Sequence, residues 1–575
     1  MDLDPNRCRE RLEGGLGHRW QPMPLARRFD SLAAAYPDRP YVITDARSYS
    51  YRELRDWSRR LARGLYGIGV RPGERVALVV DNRPEFVAVK LAIARLGAVA
   101  VPVNFSYQAD ELAVVLNSSQ ASVLVSIDAA IGVDRLAVLD ELIPGWEGGA
   151  LSGTVPHLRR VVLVDHERRP AALDLRGLLD HATALPESRL DQLEDAVDPG
   201  SPCDIVFTSG TSGYPLGAVL SHDMVLRSAY GSAYHRAFDD GWRICFSLPL
   251  YHVFGYVEGL LAAMFAGGAI VPQPVFNPRS ILAAMQQHRA SEVLFVPTMS
   301  VAVVEEAARS HYDLSHLQSV FSAAAAAPVW LWQRIEKQLA PRQVFTGYGQ
   351  TEVSAATTLT LPGDPVELVA ETIGREKLGG VAAPPDLDGA LVRYRTVDPF
   401  TGAPLPPGTE GELSARGPIV TRGYFNDPER TAAQIDPGGW LRSGDLGRVR
   451  DDGYLELTGR SGELFKVGGE LVAPQQVEQV LTGYHGVAQA YVAGVPDDRL
   501  GEVGWAWIVA GNGDGGGGGG GGARPSEAEL LRHCRSHLAA FKVPRKITFL
   551  SADELPKTST GKVQKYLLVR DRAGS

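Results

Sequence analysis

Between Tyr51 and Val125 the chain alternates helical and strand-like patterning, and this alternation restricts the fold more than any single residue does. Tyr51 to Leu65 has helical spacing, Arg75-Val76-Ala77-Leu78-Val79-Val80 reads as a strand, Phe86 to Leu96 as a helix, and Ala98-Val99-Ala100-Val101-Pro102 as the next strand. Ala121-Ser122-Val123-Leu124-Val125 follows a further helix. Such alternation implies parallel sheets covered by helices. It resumes with a helix at Ser280–His288, a strand at Glu292–Val296 and a helix at Val329–Gln338. From Gly389 to Gly459 the pattern changes to short strands broken by Gly, Pro and Asp, such as Gly411-Glu412-Leu413-Ser414, which indicates a β-rich subdomain. The expected fold is therefore α/β. A large N-terminal domain of helix-covered sheets spans 1–459, with 389–459 as its β-rich part, and a small mobile α+β domain spans 460–575. Within the latter, Gly515 to Gly522 is an unbroken run of glycine. Neither strand nor helix can use it, so 511–522 reads as a flexible surface loop.

At 575 residues the chain is long enough for two to four domains with large cores. It is 45% hydrophobic and 22% charged, with a formal net charge of −9. That balance argues against nucleic acid or an anionic membrane as the main partner. Cys8, Cys203, Cys245 and Cys534 are far apart and have no metal-ligand spacing, as expected of reduced thiols in a cytoplasmic protein. The start, Met1-Asp2-Leu3-Asp4-Pro5, is acidic and lacks the apolar core of a signal peptide. The most membrane-like stretch, Leu248 to Pro272, is interrupted by Pro249, His252, Glu258 and glycines, and reads as a buried helix of a large core.

A glycine- and hydroxyl-rich loop runs from Thr208 through Ser209, Gly210, Thr211, Ser212, Gly213, Tyr214, Pro215 and Leu216 to Gly217. It lies between two apolar runs, Ile205-Val206-Phe207 and Ala218-Val219-Leu220. Such a turn gathers backbone N–H groups and hydroxyls around one concave spot, which suits phosphate. A phosphate loop normally carries a lysine; here that position holds Leu216.

Five further segments follow in order: Leu248-Pro249-Leu250-Tyr251-His252-Val253-Phe254-Gly255; Thr346-Gly347-Tyr348-Gly349-Gln350-Thr351-Glu352; Gly439-Trp440-Leu441-Arg442-Ser443-Gly444-Asp445-Leu446-Gly447; Gly459-Arg460 with Phe465-Lys466-Val467-Gly468-Gly469-Glu470; and Leu555-Pro556-Lys557-Thr558-Ser559-Thr560-Gly561-Lys562. With the loop, and from about Tyr41 to Lys565, they resemble the adenylate-forming superfamily of acyl-CoA synthetases, peptide-synthetase adenylation domains and firefly-type luciferases. The resemblance implies two steps. A carboxylate attacks the α-phosphorus of ATP to give acyl-adenylate and pyrophosphate; a thiol, usually that of coenzyme A, then displaces AMP. The small C-terminal domain rotates between them.

The same resemblance implies the residue roles. Thr208, Ser209, Gly210, Thr211, Ser212 and Gly213 cradle phosphate, Tyr348 in its glycine turn with Gly349 stacks on adenine, and Ala324 borders it. Thr351 meets the α-phosphate and Glu352 is the Mg²⁺ ligand, a hard oxygen donor. Asp445 accepts from the ribose hydroxyls, or caps its own turn. Arg460 reaches ribose and phosphate, or forms an interdomain salt bridge. Lys562 neutralises charge developing on the α-phosphate and carboxylate. Lys466 serves thioester formation, and Gly468 and Gly469 line the pantetheine path. His252 gates carboxylate entry, or is a satisfied core histidine, and Gly255 and Val296-Pro297-Thr298 border the acyl pocket.

Three departures bear on activity. Leu216 replaces the loop lysine, Ser322-Ala323-Ala324-Ala325-Ala326-Ala327-Pro328 replaces a segment that usually has glycine, and Gly462 stands where the hinge normally has Asp or Lys. The two alanines beside the adenine clash only where φ is positive. Residues expected to hold AMP and to form the thioester are intact, and the one chemical loss falls on the β,γ-phosphates, present only in the first step. The expectation is an acyl-CoA ligase for a hydrophobic acid with an impaired adenylation step, taking a preformed acyl-adenylate from a separate adenylating enzyme. Ligases of terpenoid-antibiotic pathways, of the platensimycin type, look similar in this division of labour. An ordinary two-step synthetase, a carrier-loading adenylation enzyme and a non-catalytic adenylate-binding protein are the alternatives.

Overall fold

The computed structural model describes residues 4–130, 132–148, 153–165, 167–208, 215–467, 470–497, 499–511, 525–557 and 563–570. They form two compact units, one of Met1–Arg393 with Ala415–Leu441 and one of Tyr394–Ser414 with Arg442–Ser575. The second unit thus takes in residues on both sides of Gly459, where the sequence pattern suggests a boundary.

Two large sheets dominate the first unit. One has seven strands in the order Gln343–Phe345, Ser319–Ser322, Glu292–Phe295, Arg243–Phe246, Ala269–Pro272, Pro40–Ile43 and Ser48–Ser50, parallel except at the last pair. The other runs Leu216–Ser221, Pro202–Thr208, Val99–Pro102, Arg75–Val79, Val123–Ser126 and Arg160–Leu163, with an antiparallel hairpin at its first edge. Apolar residues without alternation fill these strands because both faces are covered. The helix Pro84–Arg95 is buried on nearly every residue, which is why its sequence shows no polar stripe. Its neighbour Tyr51–Gly67 starts at a capping box, the Ser50 hydroxyl accepting from the Glu53 N–H and the Glu53 carboxylate returning to Ser50. A three-stranded antiparallel sheet, Gly347–Gln350, Ala355–Leu359 and Arg375–Glu376, carries Tyr348, and a two-stranded one pairs Ala129–Ala130 with Val133–Asp134.

The stretch Leu248 to Pro272 is buried as expected, but it is helical only over the π-helical segment Phe254–Leu261 and the α-helix Ala262–Phe265, and it ends in the strand Ala269–Pro272. Among the described residues no helix is long and apolar enough to cross a membrane, and the four cysteines are buried and free.

In the β-rich segment, Arg393–Val397, Gly411–Arg416, Leu441–Val449 and Leu455–Arg460 form one sheet. Beyond it, Phe465–Val467, Glu470–Val472, Val487–Asp497, Gly501–Ala510 and Lys546–Leu550 form a five-stranded sheet. The helices Pro474–Thr482 and Glu527–His537 pack on it through Val477, Leu481, Leu530 and Cys534. The glycine run lies outside the described residues.

Candidate functional site

The strand Pro202–Thr208 ends at the phosphate loop, and Leu216–Ser221 returns antiparallel with Leu216 directly opposite Thr208. The Thr208 hydroxyl donates to the Leu216 carbonyl at 3.4 Å. Ser209, Gly210, Thr211, Ser212 and Gly213 lie outside the described residues. A Cβ at Gly217 would come within 2.7 Å of the Ile205 side chain, so the returning strand packs only with glycine there. Its outer edge is zipped to residues 421–425: Val219 N–H donates to Gly423 O at 3.1 Å and Phe425 N–H to Gly217 O at 2.8 Å.

The same 421–425 segment reaches the Thr351–Val353 turn. Thr421 N–H donates to the Glu352 carbonyl at 2.7 Å, and the Tyr424 hydroxyl donates to Glu352 Oε1 at 3.1 Å. Burial, reinforced by that carboxylate, pushes the Tyr424 phenol well above its ordinary pKa, so it stays a donor. Thr351 and Glu352 are both buried. After the turn, Ser354 and Ala355 both adopt left-handed backbone, with φ of 57° and 86°. For residues with a Cβ this costs roughly 1–2 kcal/mol each. The bend pushes the Ala355 carbonyl onto the strand Gly347–Gln350; a Cβ at Gly349 would sit 1.8 Å from that oxygen. Tyr348 is half-buried, and its hydroxyl accepts from Gln350 Nε2 at 2.9 Å.

Ala324 follows the strand Ser319–Ser322, is exposed, and has φ of 73°; Ala323 is buried and is not left-handed. Of the two alanines replacing glycine, one therefore carries the strain. Phe321 makes an edge-on contact with Phe254 at 5.2 Å, joining this strand to the His252 segment. His252 is half-buried, with Nδ1 accepting from Phe254 N–H at 3.2 Å. Asn82 fixes that segment: its amide donates to Leu248 O and Gln273 O, and its carbonyl accepts from Leu250 N–H at 2.8 Å. A Cβ at Gly255 would lie 2.6 Å from Pro249 O, so the tight entry to the π-helix needs glycine.

In the second unit, Asp445 and Arg460 are register partners on adjacent strands, and Arg460 Nε lies 2.9 Å from Asp445 Oδ1. The pairing lies within one unit, whereas the alternative reading of Arg460 was a bridge between domains. Asp445 is buried while Arg460 is partly exposed. Gly444 precedes them at φ of 76°, its N–H donating to Glu412 Oε1 at 3.0 Å. Lys466 occupies the middle of Phe465–Val467, opposite Leu471. Gly462 stands in the 3₁₀ turn Ser461–Glu463 with open space about it. Gly468, Gly469 and Lys562 lie outside the described residues.

Comparison with known proteins gives the family. The family of AMP-binding enzymes matches residues 29–425, and its C-terminal domain matches 476–562. The chain belongs to the AMP-binding enzyme family. The 3-(7a-methyl-1,5-dioxo-octahydro-1H-inden-4-yl)propanoyl:CoA ligase of Mycobacterium tuberculosis is 36% identical over 540 residues, covering 93% of this chain and 96% of the relative. A feruloyl-CoA synthase of Amycolatopsis is 33% identical, covering 90% and 92%. Among solved structures, the anthranilate CoA ligase AuaEII in complex with anthranoyl-AMP superposes with a TM-score of 0.79 at 25% identity, covering 95% of this chain and 97% of that one. An AMP-binding enzyme of this class is an AMP-forming acid–thiol ligase, binding ATP or AMP and an acyl-adenylate.

Two residues of the site escape sequence reasoning. Asn82 has no motif of its own, and its partners are over 160 positions away. Tyr424 leaves a faint signal, a tyrosine in the turn Arg422-Gly423-Tyr424 shortly before the helix-capping Asp427-Pro428.

Proposed function

We propose that this enzyme joins a hydrophobic, ring-bearing carboxylic acid to coenzyme A through an acyl-adenylate, and that its first half-reaction is the weak one. The carrying observation is Leu216, an apolar residue opposite Thr208 at the mouth of the phosphate hairpin, where the family's lysine would meet the β,γ-phosphates. A charge-assisted hydrogen bond contributes roughly 1.5–3 kcal/mol, so its loss slows adenylation by about one to two orders of magnitude. The β- and γ-phosphates leave as pyrophosphate, so the second half-reaction is untouched. The bicyclic and aromatic acids named for the relatives support the acyl class, as does the apolar wall from Phe254 to Phe321.

Thr351 and the N–H groups of its turn would hold the α-phosphate, Tyr348 the adenine, and the Asp445 carboxylate the ribose hydroxyls. Arg460, already on Asp445, would orient that carboxylate and reach phosphate. His252 would gate the carboxylate, Lys562 would stabilise the charge of the first step, and Lys466 would serve the second. Among the described residues no group of three or more His, Cys, Asp or Glu could hold a metal ion alone. A buried Glu352 fits Mg²⁺ as one protein ligand, with phosphate and water as the others; when bound, Mg²⁺ would neutralise phosphate charge. The retained Lys562 favours a second reading, a complete synthetase that runs both steps.

Supplying ATP with an acid panel, and separately synthetic acyl-adenylates with coenzyme A, decides between them. Thioester should form readily only from the adenylates; pyrophosphate release from ATP and acid at a comparable rate would overturn the impairment.

A further inference from the structure

A fully buried ionic cluster in the first unit has no part in the roles above. Lys377 Nζ donates to Ser228 O at 3.1 Å, to Ser228 Oγ at 3.0 Å and to Glu258 Oε1 at 3.0 Å. Glu258, in the π-helix that begins two residues after His252, also pairs with Arg236 at 3.1 Å, and Arg236 pairs with Glu292 at 2.7 Å. The same Glu258 oxygen accepts from Ala356 N–H at 3.1 Å, and Ser228 Oγ donates to Ser354 O at 2.6 Å. Ser354 Oγ in turn donates to Ile419 O at 2.9 Å, and Lys377 N–H to Thr357 O at 2.8 Å. The two side chains that receive Lys377 are thus the two that grip Ser354 and Ala356, one on each side of the strained Ala355.

We infer that Lys377 is a positioning residue: through Ser228 and Glu258 its ammonium locks the left-handed bend at Ser354–Ala355, and the bend fixes the Thr351–Glu352 turn against the nucleotide's α-phosphate. The left-handed pair is otherwise unfavourable for residues with a Cβ, so it persists only while its carbonyl and N–H are held. A buried ion pair is a poor source of net stability, yet it is a good source of a single geometry when its hydrogen bonds are complete. Burial draws the Lys377 ammonium down to about 8. Against the upward push of burial, Lys377 and Arg236 keep Glu258 below the usual carboxylate range, so both groups are charged at neutral pH. The inference rests on the proposed function only in giving Thr351 the α-phosphate.

The test is calorimetric binding of AMP and of adenosine, without turnover, to the full-length protein. Adenosine carries the base and ribose but no phosphate, so general damage weakens both ligands and misplacement of the turn weakens AMP alone. Lys377→Met should raise the Kd for AMP about tenfold and leave that for adenosine within twofold. Ala355→Gly placed on Lys377→Met should recover most of the AMP affinity, because glycine adopts the bend without strain. Ser228→Ala, which keeps the Lys377–Glu258 pair, should give a smaller AMP-selective loss, and it carries the test where Lys377→Met does not fold. Equal weakening of both ligands, no change in either, or no recovery by Ala355→Gly overturns the inference. An unmodified protein that binds AMP and makes no thioester would instead overturn the proposed function and leave this measurement valid.

Discussion

At the hairpin mouth, Thr208 faces Leu216 across one pair of strands, its hydroxyl donating to the Leu216 carbonyl at 3.4 Å. At the Thr351–Glu352 turn, Thr421, Tyr424, Ser228 and Glu258 all donate to or accept from the turn and its bend, at 2.6 to 3.1 Å. Both elements are proposed to meet the same nucleotide, one at the β,γ-phosphates and the other at the α-phosphate. The second is held by long-range hydrogen bonds against its own backbone preference, while the first has exchanged a cation for a hydrocarbon. Acyl-adenylate retains the α-phosphate and has no β,γ-phosphates, so the contrast follows the division between the half-reactions.

The largest expected effect is in acid, and both regions share it: His222, just after the hairpin strand Leu216–Ser221, is buried and its pKa is drawn down to about 3, and so is that of a histidine on the turn's side. His235 is buried, with Nδ1 accepting from Leu378 N–H at 3.0 Å and Nε2 contacting Thr360 O at 3.2 Å, beside the three-stranded sheet that carries the turn. Burial depresses its pKa to about 3, below the unfolded value. Its contribution is therefore complete above about pH 6.5 and is lost as pH falls towards 3, on the order of 5 kcal/mol in all. Denaturation from pH 7 to pH 4 should show less acid loss in His235→Gln than in the unmodified protein; equal loss would mean the sheet is not acid-sensitive through this residue.

At the hairpin, Leu216→Lys should raise ATP-dependent pyrophosphate release about 10- to 100-fold and leave thioester formation from acyl-adenylate unchanged. A rise in both rates would break the contrast. At the turn, Tyr424→Phe removes one donor to a buried carboxylate, worth roughly 1.5–3 kcal/mol. It should weaken AMP several-fold and adenosine hardly at all, read by calorimetry. The smallest effect lies outside both elements. Ala324→Gly relieves one left-handed alanine and should raise the stability to urea by about 1 kcal/mol; a loss would mean that its methyl packs usefully.

The parallel sheets were legible because uninterrupted apolar strands alternate with helices, and the family because its motif segments follow in order along the chain. What the sequence could not supply was pairing and backbone sign. Asp445 and Arg460 read as two separate ribose contacts; antiparallel register makes them partners. Whether alanine at 323 and 324 is harmful depends on φ, and only the structure separates them. Asn82, Tyr424, Ser228, Glu258 and Lys377 act through partners far away along the chain; Tyr424 and Glu258 leave only a faint local trace, and the other three leave none. The helix Pro84–Arg95 looked ordinary in sequence, although nearly all of its surface is buried.

The close approach of the Ala355 carbonyl to Gly349 has a bearing on how such an enzyme can change over generations. Any side chain at 349 collides with backbone 1.8 Å away, and backbone can retreat only if the bend itself is rebuilt. Position 349 therefore accepts a side chain only together with a rebuilt bend at 354 and 355, whereas 354 and 355 themselves can each be relaxed by glycine. Leu216 is under no such constraint: its half-buried side chain can be exchanged singly, and Gly217 beside it keeps the strand in register. On the proposed function, drift in this protein should accumulate at the hairpin, where a single exchange would restore or remove the first half-reaction while the turn that holds the adenylate stays as it is.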